Sequence, residues 1–131
     1  MTNLAALRLL VANLPLTEAE IGSDSTTAAH AELKSTIDRD ASDSDVHQWL
    51  EDEHYAGSVL LAAAGLNKRA AQSGRGNAFD RQPLSTLVAR YNAWASQLNV
   101  RISAYMAGDA DLAGYRARLA AFRQDPINNQ P

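Results

Sequence analysis

Apolar positions recur every three to four residues along most of the chain, and the breaks in that rhythm fall at glycines, prolines and polar clusters. Residues 3–13 carry Leu4, Leu7, Val11 and, just beyond, Leu14 on one helical stripe, and Pro15 ends the segment. "TEAE" at 17–20 has the form of a capping box, with Thr17 as cap and Glu20 three residues on. "IGSDSTT" reads as loop, and residues 27–38, "TAAHAELKSTID", as a second helix. "RDASDSD" follows as a polar connector in which Ser42, Asp43 or Ser44 caps the next helix.

That third helix is predicted from about 45 to 72. Val46, Trp49 and Leu50 open its buried stripe, and its middle is rich in Ala, Gly and Ser. Small side chains let helices approach closely, which places this segment centrally. "SGRGNAFDRQ" at 73–82 reads as a glycine-containing connector, with a short hairpin as an alternative. Pro83 suits the first turn of a fourth helix, in which Leu84, Leu87, Tyr91, Trp94, Leu98 and Tyr105 share one seam that Arg101 interrupts. Gly108 fits a C-terminal cap. Asp109 or Asp111 then starts a fifth helix over about 110–123, with Leu112, Tyr115, Leu119 and Phe122 on one face, and Pro126 ends it. No strand alternation of useful length and no internal repeat competes with this reading. The fold class is therefore all-α, a small bundle of about four to five helices with a C-terminal helix and extended tail. The chain divides into a helical core over 1–107 and a C-terminal helix with a partner-docking tail over 108–131.

A chain of 131 residues suits one modest core. With no cysteine, it has no disulfides, thiolate zinc sites or cysteine nucleophile. No apolar run approaches the roughly 18–20 residues of a membrane span. The apolar start lacks the basic region that precedes a secretory signal. The net charge of −3 conceals an asymmetry: residues 1–65 hold eleven acids against three bases, and residues 66–131 four acids against nine bases. Opposed charge favours head-to-tail contact between copies, and such contacts close into rings when the rotation allows.

The stretch "DSDVHQWLEDEHYAGS" at 43–58 is where chemistry must be sought first. His47, Glu51 and His54 lie four and three residues apart, on one helical face. Glu51 and His54 supply half of a di-iron carboxylate–histidine pattern, but the chain has only three histidines and His30 has no glutamate three residues before it. Two readings stay open for the trio: a three-ligand zinc site, or an exposed acidic face of Asp43, Asp45, Glu51, Asp52 and Glu53 whose charges support the helix N-terminus. The second is preferred, and no cofactor or metal is expected. There is no Gly-x-Ser-x-Gly elbow and no Gly-Lys-Ser/Thr phosphate loop, so an enzyme is not expected. Lys68, Arg69, Arg75 and Arg81 cluster around the 73–82 connector, yet a sequence pI near 5.5 argues against a stand-alone nucleic-acid binder.

Three stretches together resemble the head–tail connector, or adaptor, proteins of tailed bacteriophages. They are "LAALRLLVANLPLTEAEI", the acidic entry to the alanine-rich helix in "DSDVHQWLEDEHYAGSVLLAAAGLNKRAA", and the glycine-containing loop leading into a long amphipathic helix in "SGRGNAFDRQPLSTLVARYNAWASQLNVRI". The resemblance spans roughly residues 4–105 and rests on composition. It implies a structural virion protein, assembled in the host cytoplasm, that forms a homo-oligomeric ring between portal and tail. DNA would pass through the lumen without specific binding, and no membrane would be involved. On this implication Tyr115, Leu119, Phe122, Pro126 and Ile127 dock on the portal or tail proteins, and Arg69, Arg75 and Arg81 make inter-subunit contacts. The alternative from another class is a small acidic helical inhibitor, an immunity or antitoxin-type protein, that binds one partner through its acids.

Overall fold

The computed structural model describes residues 4–41, 43–72, 74 and 82–131. Five α-helices follow one another: α1 Leu4–Ala12, α2 Asp24–Asp40, α3 Ser44–Gln72, α4 Leu84–Met106 and α5 Leu112–Gln124. There is no strand among the described residues, so the all-α expectation holds. The connector at 73–82, with its hairpin alternative, lies almost wholly outside the described residues.

The helix ends follow the local chemistry of the chain. Glu20 accepts from both the backbone N–H and the hydroxyl of Thr17, and residues 18–20 close as a single 3-10 turn. α2 starts at Asp24, three residues before the start predicted at 27. Ser23 caps it, accepting from the Thr26 N–H, and the Thr26 hydroxyl donates to the Glu20 carbonyl at 2.7 Å. A serine directly after a glycine reads as loop until its side chain is seen to satisfy a helix N–H. Asp43 caps α3 by accepting from the N–H groups of Asp45 and Val46. Gly108 ends α4 at φ +81, a left-handed conformation suited to glycine. Asp111 caps α5.

α3 is the centre. It packs on α2, α4 and α5, while α1 lies across α4 and α2. The main core joins Leu7, Leu33, Ile37, Trp49, Leu50, Leu60, Tyr91, Trp94, Leu98 and Ile102 with Leu119 and Phe122. The last helix therefore shares the core of the rest of the chain. Gly57 sets how closely α3 meets its neighbours. A Cβ there would lie 2.5 Å from Cη2 of Trp94 and 2.9 Å from Cε1 of His30, so only glycine allows both rings onto the α3 backbone. None of the described helices is long and apolar enough to cross a membrane.

Candidate functional site

The polar side chains with chemical capacity gather along the seam between α2 and α3. His30 of α2 and His54 of α3 stack with ring centroids 4.2 Å apart. Each ring reaches the other's backbone: His30 Nε2 lies 3.2 Å from the His54 carbonyl, and His54 Nε2 lies 3.0 Å from the His30 carbonyl. The Ser58 hydroxyl donates to the His54 carbonyl one turn earlier, and its oxygen sits 2.9 Å from His30 Nε2. Burial, with the neighbouring His54 adding to it, pushes His30 down to about 4. Burial lowers His54 too, and drives the Tyr91 hydroxyl, 3.5 Å from His30 Nδ1, well above the usual phenol range. A serine beside a histidine has the composition of a nucleophile–base pair. Here the serine proton is directed to a carbonyl, leaving Oγ to accept from His30. Thr27, His30, Ala31, Lys34, His54 and Ser58 line an open groove of about 540 Å³ along this seam.

One to two turns further along, Lys34 of α2 projects into a cluster with Asp38, His47 and Glu51. Its ammonium donates to Asp38 Oδ1 at 2.7 Å and to Glu51 Oε1 at 2.8 Å. His47 Nε2 lies 2.9 Å from Asp38 Oδ1 and 3.7 Å from Glu51 Oε1. The Lys34 ammonium holds both carboxyls below their ordinary range, and Asp38 and then Glu51 raise the lysine in return. The sequence trio is thus not assembled as spaced. His54 turns away to the His30 carbonyl, while Asp38 comes in from the neighbouring helix.

Glu53 does not belong to the acidic surface on which it was expected. It is 1% exposed and lies among four convergent donors. Trp49 Nε1 donates to Oε1 at 3.1 Å, and Trp94 Nε1 to Oε2 at 2.8 Å. Arg101 spans both oxygens, Nε to Oε1 at 2.8 Å and Nη2 to Oε2 at 2.9 Å. Arg101 interrupts the apolar seam of α4 because the bundle interior holds its counter-charge. Its Nη1 has no hydrogen-bond partner among the described residues, but the guanidinium carbon lies 5.8 Å from the Tyr115 ring centroid. The ring's negative face offsets part of that deficit.

The other expected site residues are dispersed. Asp43 and Asp45 are exposed, whereas Asp52 pairs with Arg123 of α5 at 3.1 Å. Arg69 is exposed near the end of α3; Arg75 and Arg81 lie outside the described residues. Lys68 is committed to structure, donating to the carbonyls of Glu18, Ala19 and Ile21. Of the docking set, Leu119 and Phe122 are instead buried in the chain's own core, at 2% and 0% exposure, because α5 turns that face onto α3. Tyr115 is half-buried and stacks on Trp49 at 5.5 Å. Pro126 is half-buried and Ile127 exposed. The tail is held by its own chain: Arg90 Nη2 donates to the Pro126 carbonyl at 2.5 Å and the Asn129 carbonyl at 2.9 Å.

Sequence reasoning missed His30, Lys34 and Asp38 as members of the seam. Lys34 and Asp38 carry a local signal, an i,i+4 pair on one helix face, but what they meet on α3 is not local. No family model, no curated protein and no solved structure matches this chain.

Proposed function

We propose that this chain is a structural assembly subunit with no catalytic role, of the head–tail connector type of tailed bacteriophages. It forms a homo-oligomeric ring between portal and tail, through which DNA passes. The observation that supports this reading is the polarity of the two helices that flank α3. α2 carries four acids against two bases, and α5 carries three arginines and no acid. The two helices share no substantial interface with each other. Asp24 and Glu32 of α2 and Arg116 and Arg118 of α5 are exposed, and none has an ion-pair partner among the described residues. Opposite charges displayed on two sides of one subunit suit a head-to-tail contact with the next copy.

The competing reading, an acidic inhibitor, has less support. Asp38, Glu51, Asp52 and Glu53 are all paired with cations of their own chain, which depletes the face such an inhibitor would present. The test is quantitative mass spectrometry of DNA-filled particles sedimented from cells producing the protein. The polypeptide is expected in those particles at a ring's worth of copies. Its recovery only in the soluble fraction, in a one-to-one complex, overturns the proposal in favour of the inhibitor.

A further inference from the structure

Asp38, His47 and Glu51 combine the donor types of a transition-metal site, two carboxylates and one imidazole. His47 and Glu51 stand four residues apart on α3, and Asp38 faces them from α2. Bonds of about 2.0–2.1 Å in a tetrahedral zinc site place neighbouring ligand atoms roughly 3.3–3.4 Å apart. The His47 Nε2 separations of 2.9 Å from Asp38 Oδ1 and 3.7 Å from Glu51 Oε1 bracket that spacing. All three ligand atoms lie within 4.8 Å of one another. The place a metal ion would take is held by a cation already, the Lys34 ammonium, at 2.7 and 2.8 Å from the two carboxylates.

We propose that Asp38, His47 and Glu51 form a Zn²⁺ site that staples α2 to α3, and that Lys34 is its built-in competitor. Two carboxylates and a neutral imidazole match a divalent charge, which one ammonium only half neutralises. Imidazole selects zinc over magnesium or calcium, which prefer all-oxygen shells. Lys34 sits on a flexible stem with its side chain 36% exposed, so it can swing into water when the ion enters. The His47 ring then carries its proton on Nδ1, freeing the Nε2 lone pair for the metal. Asp38 is half-exposed, which leaves an entry path and a fourth position for water. The site is independent of what the chain assembles with.

The experiment is calorimetric titration of the untagged full chain with zinc chloride near pH 7.5, with circular dichroism confirming that each variant is folded. One zinc per chain is expected. His47→Ala should weaken binding at least about tenfold, as loss of a metal-site group does. Lys34→Met should tighten it by about fivefold, because removing an internal competitor raises the fraction of sites ready to bind. His54→Gln should leave the affinity unchanged, since His54 faces the His30 carbonyl. Absence of binding to the parent chain overturns the proposal. So does unchanged or weaker binding by Lys34→Met. A loss in His54→Gln equal to that in His47→Ala overturns the Asp38 assignment in favour of the trio spaced along α3.

Discussion

Arg101 of α4 grips Glu53 of α3 through both carboxylate oxygens, at 2.8 and 2.9 Å, with the two side chains 4% and 1% exposed. Two indoles, Trp49 and Trp94, donate to the same carboxylate. Removing one partner leaves the other charge buried and uncompensated, which costs about 3–5 kcal/mol, whereas an apolar pair of similar volume is often tolerated. Arg101→Met should therefore lower stability by that amount, and Glu53→Met/Arg101→Met should be the more stable of the two proteins. Urea denaturation followed by tryptophan fluorescence checks both. A double variant as unstable as the sum of its singles would contradict the pairing.

Acid should weaken the fold through His30. The unfolded chain takes up this proton near 6.5, and the folded chain only near 4. Between those values the unfolded state binds more protons, so stability falls as pH drops from about 6.5 to about 4 and is level above it. The shift corresponds to on the order of 3 kcal/mol. His54, lowered by its own burial, acts in the same direction. Denaturation midpoints measured every half pH unit should show this slope, and His30→Gln should flatten most of it.

Gly57→Ala tests the closeness of α3 to its neighbours. Alanine gains roughly 1 kcal/mol over glycine in a helix interior, but here its Cβ meets buried Trp94 and His30. Overpacking costs typically about 1–3 kcal/mol, so a net loss is expected, read as a lower melting temperature. A stabilised variant would show that α3 has room to retreat.

Two sets of changes in α5 should separate folding from assembly. Phe122→Ala opens a hole in the core and should cost about 3–5 kcal/mol in the monomer. Arg116→Glu/Arg118→Glu alters only exposed positions and should leave stability within about 0.5 kcal/mol, while abolishing incorporation into particles. Normal incorporation of the charge-reversed protein would remove α5 from the subunit contact.

Arg90→Met should free the tail. The loss of its bonds to the Pro126 and Asn129 carbonyls is expected to expose residues 125–131 to proteolysis while the helices stay intact. An uncut tail would mean that packing, not Arg90, holds it.

The positions of the helices were legible in the chain because their causes are local. The Leu4–Leu7–Val11 stripe, the Asp43 and Asp111 caps, Pro83 and the left-handed Gly108 each act within a turn of themselves. The largest misplacement was the start of α2, expected three residues late, since the Ser23 cap and the Thr26–Glu20 bond look like loop chemistry when read alone. The wet face of α3 was half legible. Glu51 and Asp52 are partly exposed there, but Glu53, next in line, points inward.

By itself the sequence determined an all-helical chain, most of its element ends and most of its core stripe. Periodicity and capping are properties of neighbours along the backbone. Only the tertiary structure decided which polar side chains meet: Glu53 with Arg101 across 48 residues, Lys34 with Glu51 across 17, and His30 with His54 across 24. It alone decided that α5 turns Leu119 and Phe122 inward. A buried charge is stable only opposite its partner. That partner lies on another helix, whose rotation and approach are set by packing around Gly57, Trp49 and Trp94 and leave no mark on local spacing.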